Sequence, residues 1–309
     1  MERPVVAGVD GSETGLAALD WAVDEAERYA LPLRIVHASL WERYEGVQTD
    51  PAADRPTGQD EAEDIVAAAA ERARLRAPGV AVTTAVLPED PAGALLREAE
   101  GAALVVVGNR GRGEFTGLLL GSVSLVVAAR SSCPVVVVRG DRYTRDAGHG
   151  RVLLGIGEHD VDSPAVRFAF REAALRDAEL DVVRAWRRPS PRHTGHPLLT
   201  GEAGGGDERR ASDLLDKALD ALAREHPHVR VRRVTVEGAP HRVLVQRSAA
   251  ADLLVVGARR RDGLVGLELG RVAHRALHHA ECPVAIVPQY PPRGQEEPEG
   301  VEDTEDTEG

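Results

Sequence analysis

Ala103-Leu104-Val105-Val106-Val107-Gly108 returns 149 residues later as Asp252-Leu253-Leu254-Val255-Val256-Gly257. Cys133-Pro134-Val135-Val136-Val137-Val138 returns at the same spacing of 149 as Cys282-Pro283-Val284-Ala285-Ile286-Val287. Val5-Val6-Ala7-Gly8-Val9-Asp10 is matched by Val152-Leu153-Leu154-Gly155-Ile156-Gly157, at a spacing of 147. Three ordered matches at nearly constant offset read as a tandem duplication. A chain of 309 residues, at about 150 residues per domain, agrees. The expected division is a first domain over 1–140, a linker over 141–150, a second domain over 151–290 and a tail over 291–309.

Within each copy, short valine-rich runs alternate with helical patterns. Leu16, Leu19, Val23 and Ala26 recur at helical spacing after the first run, and Leu95, Leu96 and Ala99 do so before the fourth. Near-continuous apolar strands alternating with helices imply a parallel sheet covered on both faces. Right-handed crossovers then wind such a chain into an α/β, Rossmann-like doubly wound layer, here two in tandem, each with five strands. The last strand of each copy starts with proline (Pro134, Pro283), which suits a sheet edge. An exposed apolar edge invites pairing. The two copies are therefore expected to pair within the chain as a pseudo-dimer, or chains to pair as a homodimer. Long loops over 41–59 and 186–207 fall on the carboxyl side of each second strand, where ligands bind in open α/β sheets.

Composition excludes several classes. The 43% hydrophobic content leaves ample core, but only 3% is aromatic, so the core must be Val, Leu, Ile and Ala. Lys217 is the one lysine and has no glycine beside it, which excludes a Walker-type phosphate loop. The net charge is −12, but residues 293–309 hold eight acids against one arginine and so carry −7 of it. That segment cannot bury enough apolar surface to offset its ordering entropy and reads as a disordered acidic tail. No basic excess suggests nucleic acid. Neither a signal segment nor an 18-residue apolar run is present, so no membrane span is expected and the address reads as cytoplasmic. Cys133 and Cys282 are too few for a disulfide framework or a zinc site; each precedes a strand proline and reads as a buried, inert thiol.

The chemistry lies after the fourth strand. Gly108-Asn109-Arg110-Gly111-Arg112-Gly113-Glu114 leads through Phe115-Thr116-Gly117-Leu118-Leu119-Leu120 to Gly121-Ser122-Val123-Ser124, a Gly-x2-Gly-x9-Gly-Ser pattern. Glycines let backbone N–H groups approach an anion. The second Gly-Ser opens a helix, whose N-terminus carries unpaired donors and about half a positive charge. Ser122 and Ser124 would add hydroxyl donors, and Arg110 and Arg112 charge.

With Gly-Val-Asp-Gly-Ser after the first strand, Val-His-Ala ending the second and Ser-Cys-Pro-Val before the last, the repeat resembles the universal stress proteins, in their two-domain form. The resemblance spans residues 4–288 and excludes the acidic tail. It implies ATP as cofactor, with or without Mg2+, bound by Gly108 to Glu114 and by Gly121, Ser122, Val123 and Ser124, with Val107 at the end of the strand. It places Asp10 near ribose or phosphates and Gly8 and Ala38 at the adenine, with Val9 also in contact with the nucleotide. It also implies a stress-response role in which the nucleotide acts as a regulatory ligand. Slow ATP hydrolysis or adenylyl transfer, and a nucleotide-free interaction protein, stand as alternatives.

Repeat two departs from the pattern. Arg260 stands for Gly111, Arg271 for Ser122 and Gly157 for Asp10. A side chain now occupies positions where bare backbone would meet phosphate, so repeat two reads as structural or modified, with arginines suited to some other anion. Asp10 or Ser12 could cap the first helix. His37 reads as a packed strand-end residue and His274, His278 and His279 as a solvated helix face, not a metal site. Gly155-Ile156-Gly157 lacks the third glycine of a dinucleotide fingerprint and reads as chance.

Overall fold

The computed structural model describes residues 3–40, 58–111, 120–140, 148–158, 160, 163–187, 203–259 and 269–289. Residues 141–147 of the expected linker over 141–150 lie outside the described residues, as do the acidic tail and most of the two long loops. No helix among the described residues is long and apolar enough to cross a membrane.

Repeat one runs β1 (Val5–Gly8), α1 (Glu13–Tyr29), β2 (Leu33–Ala38), α2 (Gly58–Arg76), β3 (Val82–Leu87), α3 (Pro91–Ala99), β4 (Leu104–Gly108), α4 (Ser122–Arg130) and β5 (Val135–Val138). Repeat two follows with β6 (Arg151–Gly155), α5 (Pro164–Leu175), β7 (Glu179–Trp186), α6 (Ala203–Glu225), β8 (Val231–Glu237), α7 (Pro240–Ser248), β9 (Leu253–Arg259), α8 (Arg271–His279) and β10 (Val284–Gln289). The strands form one ten-stranded sheet in the order β3-β2-β1-β4-β5-β10-β9-β6-β7-β8. Each half is parallel, and the halves join where β5 and β10 pair antiparallel, Val135 opposite Ile286 and Val137 opposite Val284. The proline-led strands are thus the edges of their own repeats and the centre of the whole, which is the intrachain pairing expected from their sequence.

Successive strand residues point to opposite faces. Val5, Ala7, Leu104 and Val106 accordingly pack under α1, α2, α5 and α6, while Val6, Val105 and Val107 pack under the other four helices. The valines of β5 are buried on both sides, so its run is continuous, whereas β3 and β8, at the outer edges, contain no fully buried residue. Sequence fixes the helix starts. Ser12 accepts the Gly15 N–H at 3.1 Å, Asp90 the Gly93 N–H at 2.9 Å and Ser163 the Val166 N–H at 3.4 Å. Pro91, Pro164 and Pro240 each open a helix, where a missing N–H costs nothing.

α1 and α5 meet over the seam. Arg176 lies 2.6 Å from Glu25 and 3.1 Å from Glu172, both carboxylates fully buried, and the Tyr29 hydroxyl donates to Glu172. Glu25 and Glu172 are equivalent at the 147 spacing, as are Tyr29 and Arg176. The pseudo-twofold thus brings two carboxylates together around the buried Arg176, with the partly exposed Arg28 3.4 Å from Glu25. Burial, and then the charge of Glu25, push the Glu172 carboxyl up to about 8, against the pull of Arg176 and the Tyr29 hydrogen bond. The folded chain therefore holds a proton that the unfolded chain releases near pH 4.3. That contribution is whole below the unfolded pKa, shrinks as pH rises, and is gone above the folded value of about 8. Glu172→Gln should remove a slope of up to about 1.4 kcal/mol per pH unit across that window. Urea melts of both proteins at a series of pH values test it; parallel stability curves would mean that Glu172 titrates as an ordinary carboxylate.

Candidate functional site

In repeat one the chain moves outward from β1 through β2 to β3, then returns to place β4 on the other side of β1. The crevice beyond the carboxyl ends of β1 and β4 is therefore the switch point at which open α/β sheets bind ligands. A cavity of about 370 Å3 lies there. Val36, Ala38, Pro91, Leu95 and Val107 line one part of it; Asp10, Arg110, Gly111, Gly121 and Ser122 bring polar groups to it.

Close backbone approach builds its walls. A Cβ on Gly108 would stand 2.7 Å from the Thr14 carbonyl oxygen, so β4 can lie against the start of α1 only with glycine there. The two sides are tied by the Thr14 hydroxyl, which donates to the Arg110 carbonyl at 2.7 Å. Gly121 N–H donates to the Asn109 carbonyl at 2.8 Å, which closes the base of the loop. Gly11, at φ 77°, turns the chain out of β1.

Of the two candidates for the cap of α1 the structure has Ser12, and Asp10 braces it. Its Oδ1 accepts from the Ser12 backbone N–H (3.0 Å) and hydroxyl (2.6 Å), and Ser12 is the residue that caps α1. The same carboxylate lines the cavity. Glycines keep room for it: a Cβ on Gly15 would come within 2.6 Å of Oδ1, and one on Gly111 within 2.7 Å of Oδ2. Gly121 is different, because a Cβ there meets nothing closer than 3.6 Å. Protein packing does not demand that glycine; it leaves the first turn of α4 bare toward the cavity.

Gly8, Val9, Asp10, Ala38, Val107, Gly108, Arg110, Gly111, Gly121, Ser122, Val123 and Ser124 all line this one cavity. Asn109 contributes its backbone to the loop and does not line it. Arg112, Gly113 and Glu114 lie outside the described residues. Ser124 departs from its expected part as a ligand donor, since its hydroxyl donates to the Gly108 carbonyl at 2.6 Å. Sequence reading missed Gly15, Val36, Pro91, Leu95 and Leu120. One signal was there: Gly8 packs against Leu95 as Gly155 packs against Leu244, a glycine–leucine pair kept in both repeats. The Gly155-Ile156-Gly157 fragment has this packing cause and needs no dinucleotide.

A family model described as the Universal stress protein family matches residues 1–139 and again 148–288. The chain belongs to this family. Universal stress protein Rv2005c of Mycobacterium tuberculosis H37Rv is 35% identical over 298 residues, covering 93% of this chain and 98% of that one. Universal stress protein Rv2623 of the same strain is 31% identical, with 91% and 95% covered. A solved universal stress protein from Archaeoglobus fulgidus shares the fold, with a TM-score of 0.66 at 17% identity and 92% and 98% of the chains covered.

In the second universal stress protein repeat the described residues differ at the equivalent place. Gly257, the counterpart of Gly108, is covered by the Gln289 side chain, whose Nε2 would lie 2.2 Å from an added Cβ. The Gly157 N–H donates to Asp160 at 2.5 Å, where repeat one has the Asp10 side chain. Burial pushes the Asp160 carboxyl up. Arg260 lies outside the described residues, and Arg271 is exposed in the first turn of α8. One device survives. His37 Nδ1 is 2.8 Å from the Val9 carbonyl, and Arg184 donates to the matching Ile156 carbonyl at 3.2 Å. His37 is thus a strand-end donor held by packing. The His274 and His278 rings stack at 4.4 Å, and among the described residues no group of three metal-ligating side chains occurs. Both cysteines are buried, and burial pushes each thiol up.

Proposed function

We propose that repeat one holds an adenine nucleotide, ATP in the first instance, as a regulatory ligand in a stress response. The observation that carries this reading is the single cavity in which an apolar slot adjoins Gly121 and the bare first turn of α4. The slot between Val36, Ala38, Pro91 and Leu95 suits a flat, weakly polar ring such as adenine. The first turn of α4 offers N–H donors and its dipole to phosphates. Asp10 is the one carboxylate lining the cavity among the described residues, and it suits a ribose hydroxyl or a Mg2+ shared with phosphates. Its two hydrogen bonds from Ser12 hold it as an acceptor. A ligand of this kind acts by binding one conformation more tightly than another, not by turnover.

The purified protein, denatured and analysed for released small molecules, should yield adenine nucleotide at up to one per chain. Failing that, ATP at a hundredfold excess over its Kd should raise the unfolding free energy by about 2.7 kcal/mol. Protein that neither carries adenine nucleotide nor is stabilised by millimolar ATP, with Mg2+ or without, would sink the reading.

A further inference from the structure

The N-termini of α7 and α8 follow the carboxyl ends of β8 and β9, and the two helices pack on each other. Neither start is capped by a side chain: Ala239 stands where repeat one has the capping Asp90, and Gly270 precedes Arg271. An open cavity of about 460 Å3 at this place is lined by Arg187, Glu237, His241 and Arg242. Arg187 and Arg242 share this cavity with His241, whose proton affinity is lowered by burial and then by the charges of Arg275, Arg242, Arg187 and Arg271. Arg187, Arg242 and Arg271 have no carboxylate partner among the described residues. Elsewhere Arg34, Arg72, Arg76, Arg97 and Arg233 are each paired with one. Glu237 is the one carboxylate among the described residues lining the cavity, so positive charge is in excess there, and an excess of like charge calls for an anion.

We propose that the acidic segment 296–308 of this same chain docks on the Arg187–Arg242–Arg271 surface of repeat two. Its eight carboxylates are the densest negative charge in the sequence. The chain reaches it from the right side. β10 runs parallel to β9, β9 to β6 and β6 to β7, so Gln289 leaves the sheet at the edge where Arg187 follows β7. Three strand spacings separate β10 from β7, about 14 Å. The seven residues from Gln289 to Glu296 can span up to about 23 Å, so the acids are within reach. Tethering turns weak individual ion pairs into an intramolecular contact at high effective concentration. It would also block the edge of repeat two to other anions.

The test uses the full chain and a variant with Glu and Asp at 296–308 replaced by Gln and Asn. In low salt, neutralisation should lower the His241 midpoint in a proton NMR titration and speed amide exchange at the first turn of α8. Half-molar salt should erase both differences, since exposed charges are then screened within a few ångströms. Inorganic tripolyphosphate should bind the neutralised variant about tenfold more tightly than the natural chain, and R242Q/R271Q should abolish that gain. Identical His241 titrations and exchange rates in the two proteins would overturn the proposal. So would tripolyphosphate binding of equal affinity to both, which would mark an open site for a small polyanion. R242Q/R271Q separates the repeat-two share of tripolyphosphate binding from any at α4, and the His241 titration and α8 exchange do not require nucleotide in repeat one.

Discussion

Arg176→Met should lower stability by about 3–5 kcal/mol, the cost of removing one partner of a buried ion cluster. Arg176 is 4% exposed, and both of its carboxylate partners are fully enclosed. Methionine of similar length fills the volume but takes the cation from Glu172 and leaves Glu25 with the partly exposed Arg28 alone, 3.4 Å away. The chain must then protonate both or expose them, so the loss should deepen as pH rises. Replacing the whole cluster separates charge from packing. E25Q/E172Q/R176M should recover most of the loss, because no uncompensated charge remains. Urea melts at pH about 5 and about 8 read both effects. A single-variant loss under about 1 kcal/mol would show that solvent reaches the cluster.

The second large effect concerns the ligand. Gly111→Arg, which copies the change found in repeat two, should weaken adenine-nucleotide binding by at least about 100-fold, or 2.7 kcal/mol. Its Cβ alone would come within 2.7 Å of Asp10 Oδ2, so the carboxylate must leave its place. Because that displacement also touches the Ser12 cap of α1, Gly111→Arg by itself could lose binding through misfolding. Gly121→Ala removes the ambiguity. Its methyl group meets no protein atom closer than 3.6 Å, so the unliganded protein should lose no more than about 1 kcal/mol, the ordinary cost of alanine at a helix cap. The same methyl group stands over the first turn of α4, and calorimetric titration with ATP should show weaker binding. Unchanged affinity in Gly121→Ala would move the phosphates away from α4.

The fold was legible because duplication and alternation are properties of sequence. Val135–Val138 is continuous where a strand is buried on both faces, and its equivalent appears 149 residues later. Pairing of those two strands followed from their proline starts and apolar character. The glycines of the site were legible too, since Gly108, Gly111 and Gly121 sit at spacings that bare backbone requires. The apolar wall was not. Val36, Pro91 and Leu95 look like any core residues, and only the sheet's switch point brings them beside the loop. Ser124 could not be assigned because a hydroxyl at a helix start serves a ligand or a carbonyl equally well, and three-dimensional proximity to Gly108 decides. The seam cluster escaped notice for the same reason. Nothing in the sequence marks Glu25 and Glu172 as partners; the meeting of the two helices makes them so.

The antiparallel join of β5 and β10 has a consequence for what the molecule can tell apart. It turns the carboxyl edge of repeat one and that of repeat two to opposite sides of the sheet. A dimer of identical chains built this way would show the same face twice, and any partner would find two equivalent addresses. Joining the copies in one polypeptide lifted that constraint: one side has kept Asp10 and the bare glycine turn, and the other has gathered arginines. The molecule has become a two-ended object with a direction.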